Sequence, residues 1–416
     1  MATGQAKTDI EWGLAQLRKK AQLYLLYRNY YDGIHRLTFA TKDWQNEFGT
    51  IFSGFADNLC PSVIAAVRNR LSIVGFSGTG DPSADPIPSL RVGRIGGESD
   101  EADTAWAIWQ RNRMDRRQKT IYKRALIAGD CAVIAWPDPE NERQAVIYPQ
   151  KPDQVACRYS EDAPGRIEYA VKAWMQPDKR ARVTLYYEDR IERYASPGRT
   201  SGGGLPERAD RLVPWEGTDE NPEQPVLDNP YGRVPVIVFG YDADEGEYGK
   251  SRLHDVIPLQ DALNKAVADM LIAGEFQAIP QRLIIGWAPT EFNPDGTPKP
   301  PWKSGADRIL TLANENAKVA EWAAANLEAF IKEQDSFRSE IARVSQTPLH
   351  YLLLSGQFPS GDAMHAAEAP LDAIVQDTQD GFGTSHEELM DLCLKIETGQ
   401  GAQMTSLWRG NLLNRM

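Results

Sequence analysis

Six consecutive residues, Gly246-Glu247-Tyr248-Gly249-Lys250-Ser251, are the nearest approach to a catalytic motif in this sequence. A lysine and a hydroxyl behind a glycine, with a strand before and a helix after, are the parts of a phosphate-binding loop. Backbone amides cradle the phosphate, the ammonium neutralises it, and the hydroxyl holds its metal ion. The spacing G-x-x-x-x-G-K-[ST] requires glycine at position 244, where this chain has Asp244. A carboxylate there repels phosphate, so the string reads as a turn leading into a helix. The five histidines, His35, His254, His350, His365 and His386, show neither H-E-x-x-H spacing nor a nucleophile–base signature. His350 and His365 flank one loop, where either a metal pair or an exposed, capping role fits. Cys60, Cys131, Cys157 and Cys393 form no C-x-x-C pair and read as buried, reduced thiols. No catalytic constellation emerges, and no cofactor is implied.

Charge is the second source of chemistry. The net charge is −12, whereas proteins that grip DNA phosphates carry basic surfaces whose binding releases counterions. Any DNA contact is therefore expected to be weak. One stretch runs the other way: Arg111, Arg113, Arg116, Arg117, Lys119, Lys123 and Arg124 stand against Asp115 alone, just after Glu98, Asp100, Glu101 and Asp103. Three readings apply: a solvated helix face, a phosphate patch, or head-to-tail contact between neighbouring copies of one subunit, which closes a ring. Residues 347–416 carry nine acidic residues against three basic ones, which argues against tight DNA contact there.

The length of 416 residues suits two or three domains, and 42% hydrophobic with 25% charged residues suits a folded chain. The polar N-terminus lacks a signal-peptide core, and no apolar run reaches the ~20 residues of a membrane helix. Helices are expected over 9–31, 55–71, 99–112 and 116–128, with Ser99 as an N-cap and Gly129 as a stop. Residues 75–89, rich in Gly, Pro, Ser and Asp, read as a loop. Short β-branched and aromatic runs at 131–136, 145–148, 155–159, 167–175 and 182–194 predict an antiparallel meander, with a further strand at 234–239. A long helix at 253–276 carries the stripe Val256, Leu259, Leu263, Val267, Met270 and Leu271 beside the ladder Asp261, Lys265, Asp269. Residues 277–325, with six prolines, form a small insertion with strand-like runs at 282–287 and 308–312. A second long helix spans 326–345. The expected geometry is an antiparallel helix pair with the insertion at its far tip. A loop follows Thr347-Pro348. The tail 363–396 is helical in composition, broken near Pro370, Gly381 and Gly383. The fold class is α+β.

Several strings, in their order, resemble one family. They are Tyr30-Tyr31-Asp32-Gly33 with His35-Arg36-Leu37 and Phe39-Ala40; Phe55-Ala56-Asp57-Asn58-Leu59-Cys60 with Arg70-Leu71 and Gly75-Phe76; Asp255-Val256-Ile257-Pro258-Leu259-Gln260-Asp261 with Asn264-Lys265; residues 276–282; and Thr347-Pro348-Leu349-His350-Tyr351-Leu352 with Pro359-Ser360-Gly361. The chain resembles the portal proteins, or head–tail connectors, of tailed double-stranded DNA bacteriophages, of the type found in long-tailed actinobacterial phages. The resemblance implies a structural, non-enzymatic protein that forms a ring, usually of twelve subunits, at one capsid vertex of the virion, after assembly in the host cytoplasm. Residues 1–254 would be the wing (helices over 1–130, antiparallel strands over 131–240), 255–276 and 326–346 the stem helices, and 277–325 the clip. Residues 347–362 would be the tunnel loop, and 363–416 a helical region forming a short or truncated crown. It further implies that His350, Tyr351, Leu352, Leu353, Leu354, Ser355, Gln357 and Phe358 line the channel. Arg282, Trp287, Lys299, Trp302 and Lys303 of the clip would dock the terminase large subunit and later a head–tail adaptor. Asp100, Glu101 and Asp103 would meet Arg113, Arg116 and Arg117 between subunits. Major capsid and scaffolding proteins are further implied partners; double-stranded DNA passes through weakly and non-specifically, and no membrane is involved. Another virion structural protein and a nucleic-acid-processing enzyme remain as alternative readings.

The purified chain is expected to hydrolyse neither ATP nor DNA in the presence of Mg²⁺. Turnover that survives repurification and disappears in K250A would show that the Gly246–Ser251 string is a nucleotide site after all.

Overall fold

The computed structural model describes residues 4–36, 56–78, 100–200, 204–218, 222–278, 282–285, 318–321, 327–353 and 361–409, with isolated positions 42, 46 and 294. The chain divides into two compact units. One comprises Met1–Arg36, Gly54–Asp261 and Arg338–Met416; the other comprises Leu37–Ser53 and Ala262–Phe337.

In the first unit, α1 (Gly4–Tyr31) places Ala6, Ile10, Leu14 and Leu17 on one stripe. They pack on Val171, Ala173, Val183 and Leu185, the apolar face of a sheet. Full burial of each large aliphatic side chain contributes roughly 1.5–3 kcal/mol. Gly13 permits the close approach, since a Cβ there would stand 2.5 Å from Val171. The second half of α1 turns from apolar packing to tyrosine hydroxyls. Tyr24 donates to Asp130 at 2.8 Å, Tyr30 donates to Asp261 at 2.5 Å, and Tyr27 pairs with His254 Nδ1 at 2.9 Å.

After α2 (Cys60–Arg68), residues Ile73–Gly78 form a strand, β1. Helices α3 (Asp100–Arg111) and α4 (Met114–Ala128) follow, and α4 stops at Gly129 with φ +100°. The expected meander is instead two antiparallel sheets. β2 (Asp130–Pro137) and β3 (Ala145–Pro149) join β10 (Val236–Gly240) in the order β10-β2-β3. The strands β4 (Val155–Tyr159), β5 (Ile167–Met175), β6 (Ala181–Tyr186), β7 (Arg190–Ala195) and β8 (Val213–Pro214) run consecutively in the other sheet, with β9 (Val226–Asp228) paired to β7. The break falls at Pro149 and Pro152, which supply no amide to a ladder. The 182–194 run is two strands around a tight turn closed by Tyr187 N–H to the Arg190 carbonyl, 2.9 Å.

Two more expectations are corrected. Residues 75–78 are strand rather than loop, and 363–416 is not wholly helical: β13 (Met404–Trp408) pairs antiparallel with β1. Each strand is too short to announce itself locally, and each finds its backbone partners only across more than three hundred residues. The tail helix α7 (Gly361–Thr398) also runs unbroken through Pro370, Gly381 and Gly383. Pro370 and Ala366 are exposed, so water can serve the carbonyl that the proline leaves without a donor. Gly383 is needed, because a Cβ would lie 2.8 Å from Ser406 Oγ. Buried Phe382, His386, Leu389 and Cys393 hold the rest in place.

The long helices are α5 (Ile257–Ala278) and α6 (Leu327–Val344). α5 begins four residues later than its apolar pattern, because residues 253–256 close a turn through Val256 N–H to the Leu253 carbonyl. In the second unit, Gln334 of α6 reaches the Met270 sulfur of α5 at 3.2 Å. β11 (Arg282–Ile285) pairs antiparallel with β12 (Lys318–Glu321), which brings the two ends of the insertion together. The strand expected at 308–312 lies outside the described residues. Among the described residues no helix is long and apolar enough to cross a membrane.

The Gly246–Ser251 string folds as a brace. A Cβ on Gly249 would lie 2.0 Å from the Gly129 carbonyl oxygen, and one on Gly129 would lie 2.2 Å from that of Gly249. G249A is therefore expected to lower unfolding free energy by about 3 kcal/mol, read from the urea midpoint at unchanged m-value.

Candidate functional site

The described chemistry concentrates where both long helices enter the first unit. Arg252, just before α5, is buried. Its guanidinium donates to the Val63 carbonyl (3.2 Å), the Tyr241 hydroxyl (3.0 Å) and the Ser345 carbonyl (2.7 Å). Ser251 Oγ donates to the Ile127 carbonyl at 2.6 Å and accepts Leu253 N–H at 3.1 Å. Lys250 pairs with Asp255 at 2.7 Å. The lysine and hydroxyl that mimic a phosphate loop are thus both committed to the fold.

The residue strings quoted above from distant parts of the sequence meet here. Gln260 of α5 donates to the Asp57 carbonyl (2.6 Å) and accepts Leu59 N–H (2.9 Å). Arg338 of α6 pairs with Asp57 at 2.7 Å, and Asn58 donates to the Tyr31 carbonyl at 3.2 Å. His35 stacks on Tyr30 with ring centroids 4.6 Å apart; burial pushes its imidazole pKa down. These residues form a polar knot at the base of the two helices.

α6 ends in a paired-hydrogen-bond stop. Gln346 adopts the left-handed conformation (φ +48°), Thr347 N–H reaches the Ala342 carbonyl (3.0 Å) and Gln346 N–H the Arg343 carbonyl (3.3 Å). Ser345 Oγ bonds Thr347 Oγ1 at 2.9 Å. The following loop starts under restraint. Leu349–Tyr351 form one 3-10 turn, and Leu352 is 7% exposed, so its side chain packs inside its own subunit. Arg70 donates to the Tyr351 hydroxyl (3.0 Å) and Glu368 (3.1 Å) and pairs with Asp372 of α7; His350 Nε2 lies 3.7 Å from Glu368. Arg70 thus clamps the start of the loop to the start of α7. Leu353 is partly exposed. Leu354, Ser355, Gln357 and Phe358 lie outside the described residues.

The basic segment is divided by the fold. Arg111 pairs with Glu397, Arg117 donates to the Ile147 carbonyl, and Arg124 donates to the Pro149 and Gln150 carbonyls at 3.1 and 2.9 Å. Lys123 sits over the Tyr31 ring. Arg113 and Arg116 are exposed and have no ion-pair partner among the described residues. Glu101 and Asp103 are exposed on α3, which begins at Asp100. In the insertion, Arg282 opens β11, while Trp287, Lys299, Trp302 and Lys303 lie outside the described residues.

No nucleophile stands out. Burial pushes Cys60 and Cys131 up to about 12 and raises Cys157 and Cys393 further; all four are buried free thiols. His386 is buried among Tyr122, Trp109 and Phe239, and desolvation lowers its pKa to about 3. Among the described residues no group of three or more His, Cys, Asp or Glu could hold a metal ion. Sequence reasoning missed Arg252 and the clamping role of Arg70. An arginine on a predicted buried turn is a weak signal until its acceptors, which are backbone carbonyls, have positions.

Residues 94–405 match the protein family described as Phage portal protein, SPP1 Gp6-like. The portal protein of Mycobacterium phage D29 is 26% identical over 335 residues, covering 75% of this chain and 64% of the relative. That of Mycobacterium phage L5 is 25% identical over 331 residues, with the same coverage. The chain thus spans 64% of the length of each of these relatives. Of solved structures, the neck of a native GTA particle with C12 symmetry superposes at a TM-score of 0.48, with 12% identity, over 89% of this chain and 85% of that one. The neck of an empty GTA particle with C6 symmetry gives 0.47 at the same identity and coverage.

The divided basic segment separates folding from association. R117E is expected to destabilise the subunit by about 2 kcal/mol, because a carboxylate would face a partly buried carbonyl. R116E should shift stability by less than about 0.5 kcal/mol while weakening self-association, more so at low salt. Thermal melts and native mass spectrometry of both variants test this; equal loss of stability in the two would remove the distinction.

Proposed function

The chain belongs to the SPP1 Gp6-like phage portal protein family, and from that premise we propose that it forms a ring of twelve subunits at one capsid vertex of a virion. The family match over residues 94–405 carries this reading. The ring is a conduit for genome packaging and ejection. It is structural, with motor chemistry left to the terminase large subunit, which docks during packaging and gives way to a head–tail adaptor. Major capsid and scaffolding proteins surround it during assembly.

The residue assignments follow the family's expected organisation and, where residues are described, their exposure. Helices α5 and α6 act as the stem, and the insertion between them as the clip. Its candidate docking residues are Arg282, Trp287, Lys299, Trp302 and Lys303. The channel loop is assigned to residues 353–358. His350, Tyr351 and Leu352 serve instead as its anchor, because they pack against Arg70, Glu368 and the subunit interior. The residues 347–362 contain no Lys or Arg, so a ring of such loops touches DNA without trapping phosphates. The net charge of −12 suits a polymer that must slide. Subunit contact is assigned to Glu101 and Asp103 of one copy against Arg113 and Arg116 of the next, as a heterologous interface that closes.

Deleting residues 353–357 spares the anchor, so the variant is expected to fold and give rings of unchanged mass by native mass spectrometry. In an in vivo packaging assay it should lose genome packaging or retention. Loss of subunit folding would make the loop part of the core and withdraw its channel role. Failure of the natural chain to form rings at all would withdraw the portal reading.

A further inference from the structure

The central strands β5, β6 and β7 have two faces of opposite character. Val171, Ala173, Val183 and Leu185 point at α1 and build a core. Their alternates Lys172, Trp174, Arg182, Thr184 and Arg193 share the other face, with Lys172 opposite Thr184, Trp174 opposite Arg182, and Thr184 opposite Arg193. That face meets the β10-β2-β3 sheet through Ala132, Ile134, Ala170, Val234 and Val236. Beyond them, between Trp136 and Tyr148 of one sheet and Trp174 and Arg182 of the other, lies a cleft of about 590 Å³. This is within the range of small-ligand and peptide side-chain sites.

Sheet faces turned toward another sheet are normally apolar, and this one carries two cations, Lys172 and Arg182, with no ion pair among the described residues. Arg182 is 8% exposed, and its Nη1 is buried with no hydrogen-bond partner. Its guanidinium lies over the Trp215 ring. Lys172 lies over Trp174 at 4.6 Å and makes no ion pair among the described residues. Arg193 is neutralised by Glu223 at 2.6 Å, the only carboxylate among the described residues that line the cleft. Burial lowers the pKa of both Lys172 and Arg182, and for Arg182 the charges of Glu223 and Asp178 offset that only in part. A buried guanidinium with an idle N–H is costly in the free protein. An arriving carboxylate, which accepts from a planar fork of donors, relieves that cost. The walls add Trp136, Trp215, Pro137 and Pro139, surfaces suited to apolar or proline side chains beside the acid.

We propose that this cleft docks an acidic, extended peptide segment of a partner protein, one carboxylate seated on Arg182 with Lys172 in support and its apolar neighbours lying against the tryptophans. The cleft is concave and half enclosed by aromatic rings, which favours a peptide over a nucleic-acid strand. The proposal is independent of ring formation.

The test uses the full chain and a pool of fluorescein-labelled hexapeptides with a central Glu flanked by Leu, Phe or Pro, beside a matched pool with Gln. Asp219 and Glu220 directly follow Thr218 in the sequence, so D219N/E220Q is measured alongside. Anisotropy should show saturable binding to one or both proteins, at least tenfold weaker for the Gln pool and at least tenfold weaker in R182M. Because R182M removes an only partly compensated buried charge, its melting temperature should stay level or rise while binding is lost; a merely structural arginine would lower it. Absence of Glu-pool binding in both proteins, equal binding of the two pools, or a lowered melting temperature in R182M overturns the proposal. Displacement of the peptide by labelled hexathymidylate at equal or lower concentration would also overturn it, in favour of a single-stranded nucleic-acid site.

Discussion

The buried guanidinium of Arg252 pairs with no carboxylate among the described residues, and the bases of both long helices are organised around it. A cation taken out of water costs several kcal/mol unless its donors are satisfied. Here they reach a carbonyl of α2, a hydroxyl just after β10 and the carbonyl at the end of α6. Hydrogen bonds to a charged group contribute about 1.5–3 kcal/mol each, enough to offset that cost only if all three acceptors stay in place. The start of α5, the end of α6 and α2 are therefore positioned as a set. The glycine pair Gly129 and Gly249 makes the arrangement possible by letting two backbones touch where any side chain would separate them.

In the polar knot a second arginine, Arg338, pairs with the Asp57 carboxylate, while Gln260 donates to the Asp57 carbonyl. The clamp of Arg70 on Tyr351, Glu368 and Asp372 extends this use of arginine into the loop after α6. Within that loop Leu352 is buried and Leu353 is partly exposed. The clamp fixes where the loop after α6 leaves the fold.

Charge is used in two ways. Arg111, Arg117 and Arg124 satisfy a carboxylate and carbonyls of their own subunit, whereas Arg113 and Arg116 face solvent. On α4, Arg117 and Arg124 thus serve the fold while Arg116 is exposed. The inter-sheet cleft is a further case, in which Arg182 is buried and Lys172 partly buried, each without an ion pair among the described residues. That is a local conflict between stability and pattern of the kind found at binding sites.

The sequence by itself determined the element types and much of their order: two long amphipathic helices around a proline-rich insertion, a strand-rich middle, and the absence of a phosphate loop through Asp244. These depend on local periodicity and on spacing, which a linear chain displays directly. The strings Tyr30-Tyr31, Asp57-Asn58-Leu59 and Gln260-Asp261 were visible as motifs, but not why those residues belong together. Only the tertiary structure decided that they form one hydrogen-bonded knot, that β1 pairs with β13, and that α7 continues through a proline and two glycines. It also decided that the meander is two sheets with a cationic cleft between them. In each case the deciding contact joins residues far apart in sequence, and its energy comes from satisfying a backbone group, a buried charge or a packed side chain. Such terms have no sign or size until both partners have positions in space.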